Sequence, residues 1–178
     1  MPGGQNNMDM SLEKQIRAVV ITVSDRCARG EQQDESGRIL IELLADMGAT
    51  VVLTDILADD LEPLSQRLRT LADRPDVNLV ITTGGTGLSP RDNTPEATHA
   101  VIEKEAPGLA EAMRTQTLAE TRTAMLSRGV CGVRSSALII NLPGSPAGVR
   151  SCFNVIKPVL THAVSLVSGQ PSDHNKKS

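Results

Sequence analysis

Aromatic side chains are nearly missing from this chain of 178 residues, which has no Trp, no Tyr and one Phe, Phe153. The stacking platforms on which single-stranded nucleic acids rest are therefore absent, and the core has to be aliphatic. Positive charge is not in excess either. Eighteen Lys and Arg stand against 21 Asp and Glu, a net charge of -3, so a polyanion-coating surface and a nucleic-acid partner are not expected. The three cysteines, Cys27, Cys131 and Cys152, are odd in number and include no Cys-x-x-Cys pair. They read as small buried hydrophobes rather than as a disulfide framework or a zinc site. No run of about 18 apolar residues and no charged-then-apolar leader opens the chain, so no membrane association is expected and the cytoplasm is the expected location.

What remains is an ordinary globular composition, 39% hydrophobic, at a length that suits one domain burying about 70% of its unfolded surface. Residues 1–15 and 169–178 are Gly-, Asn-, Ser- and Lys-bearing without periodicity and read as mobile tails around a domain at 16–168. Inside the domain the pattern alternates. An apolar run at Ala18–Val23 precedes a helical spacing at Ile39, Leu40, Leu43, Leu44 and Met47, and a β-rich run follows from Thr50 to Leu57. Leu61, Leu64, Leu68 and Leu71 then space a second helix behind Asp59 and Asp60, either of which could be its N-cap, and Val77–Thr82 predicts a third strand. Thr94-Pro95 predicts a helix start, with the helix continuing to about Lys104; a further helix is expected from Leu109 to Thr117 and a strand from Ser136 to Leu142. Ser145-Pro146 opens a last helix, in which Pro158 predicts a kink or a break. Strands separated by helices lie parallel in one sheet covered on both faces, and the apolar run of the first strand fits such double burial.

In open sheets of this kind ligands bind beyond the carboxyl ends of the strands, where the sequence places its unusual residues. The first strand runs into Ser24-Asp25, the second leads to Asp59, the third ends in Thr82-Thr83-Gly84-Gly85-Thr86-Gly87, and the late strand ends in Asn141-Leu142-Pro143-Gly144. The glycine loop offers backbone N–H groups and hydroxyls with little Cβ obstruction, as close approach to a phosphate requires. It is neither a Walker A loop nor a GxGxxG turn, since no Lys follows Gly87 and the glycine spacing differs. Asp92, beside Arg91 and a helix start, reads as a turn residue or as a ligand to Mg²⁺, which takes one or two carboxylates and completes its shell with phosphate and water. Asp25 is equally open, as a local Asx-turn acceptor or a site residue. The histidines, His99, His162 and His174, fall in two helices and a tail and read as non-catalytic.

Taken together, Val23–Asp25, Thr82–Gly87, Pro90–Thr98, Pro107–Leu109, Leu126–Arg128 and Asn141–Pro146 resemble, in order and across about residues 16–168, the molybdopterin adenylyltransferases of the MogA/MoaB type. The resemblance implies a three-layer α/β/α sandwich with a mostly parallel sheet. It also implies transfer of AMP from ATP to the terminal phosphate of molybdopterin, with release of pyrophosphate. Carried over by position, Asp59 and Asp92 match the family's catalytic and Mg²⁺-binding acids, and Thr83, Gly84, Gly85, Thr86 and Gly87 match its nucleotide-phosphate loop. Ser24, Asp25, Ser136, Pro143, Gly144 and Pro146 match residues lining its substrate cleft. A homotrimer is implied, with a hexamer as the variant, together with hand-over of product to the molybdenum-insertion enzyme. Asn93 departs from the family, where Val is common, and is expected to alter packing more than chemistry. The alternative is a molybdopterin-binding carrier without transferase activity. A phospho-receiver domain on a similar sheet would need an acceptor Asp where this chain has Thr83 and Gly84.

Overall fold

The first apolar run forms strand β1 (Arg17–Val23) in the computed structural model, which describes residues 15–169. A one-turn helix α1 (Asp25–Ala28), helix α2 (Glu35–Asp46), strand β2 (Thr50–Leu57), helix α3 (Leu61–Ala72) and strand β3 (Leu79–Thr83) follow. The second half holds α4 (Thr94–His99), β4 (Lys104–Glu105), α5 (Pro107–Thr117), a 3₁₀ turn at Arg122–Leu126, β5 (Cys131–Arg134), β6 (Ala137–Leu142) and α6 (Pro146–Val167). The expected tails lie outside the described residues apart from Gln15 and Gly169, as does His174.

The six strands form one sheet in the order β2-β1-β3-β6-β5-β4. The first four are mutually parallel, while β5 and β4 extend the sheet antiparallel. Period-two alternation divides each inner strand between two cores. Ala18 and Val20 join α2, α5 and α6 on one face around Phe153, the largest wholly buried side chain. Val19, Ile21 and Val23 join α3 and α4 on the other face. The result is a three-layer α/β/α sandwich, and the near-absence of aromatics is met by stacking Ile, Leu and Val in both cores.

Several expectations need correction. The helix predicted from Thr94 to about Lys104 stops at His99, because Val101 N and Ile102 N both turn back onto Thr98 O and Glu103 N donates to Val133 O at 2.8 Å. Lys104 and Glu105 are thereby recruited as a sheet edge. The N-cap of that helix is Asn93, and Thr94 lies in its first turn. Pro158 does not break α6. Both Pro158 and Asn154, whose carbonyl loses its helical donor there, are exposed, so the missing bond falls on the solvent side of the helix rather than in the core. Cys131 and Cys152 are buried as expected, their thiols pushed up to about 12 and about 11 by burial, whereas Cys27 is half-buried.

Candidate active site

The chain leaves β1 for β2 at the sheet edge and then crosses back to β3 on the other side of β1. Its direction of winding reverses there, which opens a crevice at the carboxyl ends of β1 and β3. The glycine loop fills that crevice. Gly84 (φ 100°) turns sharply off β3, and a Cβ there would collide with Val23 O. Gly85 is also left-handed (φ 64°), and its Cβ would collide with Thr94 Oγ1 and stand 2.5 Å from Asp59 Oδ2. No other residue type fits either position without displacing buried groups.

The hydrogen bonds of the loop are one-sided. Four successive carbonyl oxygens are held by the protein. Thr94 Oγ1 donates to Gly84 O at 2.9 Å, Thr94 N to Gly85 O at 3.1 Å, Arg128 N to Thr86 O at 2.8 Å and Arg128 Nε to Gly87 O at 2.7 Å. Among the described residues, none accepts from the N–H groups of Gly85, Thr86, Gly87 or Leu88. Turning carbonyls inward and leaving consecutive N–H groups unspent makes an anion cradle. It opens onto a cleft of about 710 Å³ lined on one side by Gly85, Thr86, Gly87 and Asp92 and on the other by α5 and the start of α6.

Asp59 lies beneath this loop and is 5% exposed. It does not cap α3. Its Oδ1 accepts from Asn93 N at 2.9 Å, while its own N–H donates to Asp25 Oδ1 at 3.0 Å. Burial, followed by the charges of Asp92 and Asp25, pushes its carboxyl up to about 6. Asp92 is partly a turn residue, since Ser89 N donates to its Oδ2 at 2.9 Å, yet that oxygen also faces the loop, 2.8 Å from where a Cβ on Gly87 would stand. Asp25 is not a local Asx acceptor. It takes Arg91 Nε and Nη2 at 3.0 and 2.8 Å, and this pairing holds its carboxyl down at about 2. Arg91 Nη1 also reaches Asp60 at 2.9 Å, tying the segment before Asp92 to the ends of β1 and β2.

The remaining cleft assignments divide. Pro143 and Gly144 line the large cleft, whereas Ser24, Thr83, Gly84 and Pro146 line a separate pocket of about 80 Å³ behind the loop, which Gly144 shares. Ser24 caps α1, with Oγ accepting from Cys27 N at 3.2 Å, and Thr83 Oγ1 donates to Pro143 O at 2.7 Å. Ser136 is not brought to the site. It sits in the exposed β5–β6 turn at the amino end of β6, a strand's length from the crevice. His99 lies beside Glu105 at 3.3 Å, away from the cleft, and His162 is on α6. The reading of Asn93 also changes, because its Nδ2 donates to Asp59 O at 2.9 Å and holds the acid in place. Arg128 was legible only as part of a motif; no local pattern announces an arginine that clamps a loop forty residues upstream.

Two carboxylates without a directly paired cation, beside an anion cradle, form a hard-oxygen donor set that fits Mg²⁺. No three His, Cys, Asp or Glu side chains group as metal ligands among the described residues, so the rest of such an ion's shell would come from substrate phosphate and water.

Residues 19–162 match the family model described as "Probable molybdopterin binding domain". The chain belongs to this molybdenum-cofactor biosynthesis family. It is 38% identical to the molybdopterin adenylyltransferase of Helicobacter pylori (strain ATCC 700392 / 26695) over 165 residues, 92% of this chain and 94% of that protein. It is 42% identical to the molybdenum cofactor synthesis protein cinnamon of Drosophila melanogaster over 154 residues, but spans only 26% of that longer protein. The crystal structure of the molybdopterin biosynthesis enzyme MoaB from Thermus thermophilus superposes with a TM-score of 0.83 at 47% identity, covering 88% of this chain and 99% of that one.

Proposed function

We propose that the chain is a molybdopterin adenylyltransferase. The phosphate monoester oxygen of molybdopterin attacks the α-phosphorus of ATP, a new P–O bond forms, and the α–β bridging oxygen departs with pyrophosphate. The observation that carries this reading is the row of unspent N–H groups from Gly85 to Leu88 beside Asp59 and Asp92. A phosphate monoester, with a second pKa near about 6, is already a strong enough nucleophile at neutral pH to need no general base. What it needs is positioning against another anion and neutralisation of charge. The loop cradles phosphate oxygens, Arg128 and Thr94 hold the loop rigid, and Asn93 fixes Asp59. Mg²⁺ held by Asp59 and Asp92 would supply charge neutralisation at the transferring phosphoryl group.

The carrier reading is weaker because a carrier has no use for two acids at the phosphate cradle. In the same reading the chain acts in the cytoplasm as a homotrimer and passes its product to the molybdenum-insertion enzyme. Exposed Leu88, Met125 and Leu126 offer apolar surface for self-association, and light scattering separates trimer, hexamer and monomer. No helix among the described residues is long and apolar enough to cross a membrane. The deciding experiment is incubation with molybdopterin, ATP and Mg²⁺. Stoichiometric adenylylated pterin and pyrophosphate, detected by mass, support the enzyme; bound but unmodified pterin supports the carrier.

A further inference from the structure

The phosphate end occupies only part of the large cleft. The remainder runs between α5 and the first turns of α6, walled by Ala110 and Met113 on one side and Ala147 and Cys152 on the other. Apolar walls of this kind suit a flat heterocycle. Besides Asp92, the cleft is lined by just two charged side chains, Arg114 and Glu120. Glu120 follows the end of α5 and is steadied across the cleft by Ser151 of α6, whose Oγ hydrogen-bonds its Oε2. Among the described residues nothing donates to its Oε1. Arg114 spends Nη1 on Ser127 O and Gly129 O at 3.4 and 3.1 Å, and its Nε and Nη2 have no hydrogen-bond partner there.

We propose that Glu120 is the specificity-determining residue for the pterin ring, accepting the adjacent N–H groups of its 2-amino-4-oxo pyrimidine edge. The inference rests on the adenylyltransferase reading. A carboxylate offers acceptors only, and the pterin edge presents two neighbouring donors, the 2-amino group and N3–H, that match it in a charge-assisted pair. Adenine presents one amino donor beside the N1 acceptor, so the second carboxylate oxygen would meet a lone pair. The same contrast lets a carboxylate or its absence sort donor patterns on nucleobases. Glu120 therefore assigns the pterin, rather than the adenine of ATP, to this end of the cleft, and the free donors of Arg114 complement the 4-oxo oxygen.

The test is fluorescence titration of wild type, Glu120→Gln and Ser151→Ala with molybdopterin and, separately, with ATP and Mg²⁺. Glutamine preserves size and the contact with Ser151 but replaces one acceptor by a donor. The expected result is a molybdopterin Kd raised on the order of ten- to a hundredfold in Glu120→Gln, a smaller rise in Ser151→Ala, and an ATP Kd within about twofold of wild type in both. Unchanged molybdopterin binding in Glu120→Gln, or a loss confined to ATP, overturns the assignment while leaving the enzyme reading intact. A wild-type chain that binds ATP but not molybdopterin overturns both. A melting curve for each variant confirms that the exposed loop carrying Glu120 leaves the fold unchanged.

Discussion

Asn93 holds Asp59 at two points, its backbone N–H donating to Oδ1 and its side-chain amide to the backbone carbonyl, each at 2.9 Å. The second bond is beyond the reach of a Val at this position. Asn93→Val should keep the first bond and release the second, lowering kcat several-fold with little change in either substrate's Kd. Steady-state rates paired with binding titrations check this, and an unchanged kcat would return Asn93 to a packing role.

Asp59→Asn and Asp92→Asn should each lower turnover by about 10²–10³-fold, the scale on which a lost electrostatic contribution to transition-state charge registers. Both amides retain an oxygen for the hydrogen bonds from Asn93 N and Ser89 N, so both variants should stay folded. Pyrophosphate release at saturating Mg²⁺ measures the loss; near wild-type rates in both would remove the acids from the chemistry.

The pH dependence of stability follows from Asp59. Its carboxyl titrates at about 6 in the folded chain against 3.8 when unperturbed, because burial disfavours the anion. With the folded value raised, the buried charge costs stability above about 6, is progressively relieved as pH falls through that value, and costs nothing below 3.8. In metal-free buffer Asp59→Asn should therefore melt above wild type at pH 8, by an amount on the order of 1–3 kcal/mol, and the gap should shrink at pH 5. A gap constant with pH would contradict the assigned titration.

The Arg128 backbone N–H holds Thr86 O, while its guanidinium binds Gly87 O and Asp92 O and pairs with Glu96, so the side chain fixes the cradle and an acid together. Arg128→Lys cannot reproduce that fork. The expected outcome is a weakened ATP Kd and a reduced kcat with molybdopterin binding held. Loss of all three in proportion to a lowered melting temperature would make Arg128 merely structural.

Gly85→Ala separates two reasons for the glycine. Phosphate approach alone would spare stability, but the Cβ would also meet Asp59 and Thr94 at a left-handed φ. Destabilisation of about 1–3 kcal/mol together with lost nucleotide affinity is expected from melting and calorimetry.

The parallel part of the sheet was legible because β1 and β3 are predominantly apolar and the punctuation around them is strong; Thr50–Leu57 was bounded to the residue. The antiparallel edge was not. Cys131–Arg134 contains Gly and Arg and is too short to alternate, and Lys104–Glu105 is a strand only because β5 lies beside it. Ser136 was assigned to the cleft by the resemblance alone, although the expected strand from Ser136 to Leu142 already put it at the amino end of β6, away from the crevice. Asp59 could be picked out as an acid after a strand and Asp92 as an acid beside a helix start, but Asn93, Arg128 and Glu120 act through partners distant in sequence, and spacing along the chain carries no trace of them.

Strand β6 enters the sheet late and at its centre, pairing Leu79 with Leu138 and Thr83 with Leu142. Until the ribosome has delivered that segment, the nascent chain can assemble β2, β1 and β3 but leaves the wholly buried β3 with one bare hydrogen-bonding edge. Such an edge invites pairing with another chain. Synthesis that stalls before Ala137 should accordingly yield insoluble material rather than a half-domain. The glycine loop cannot settle earlier either, because Gly84 N awaits Leu142 O, so arrival of β6 and assembly of the phosphate cradle are one event.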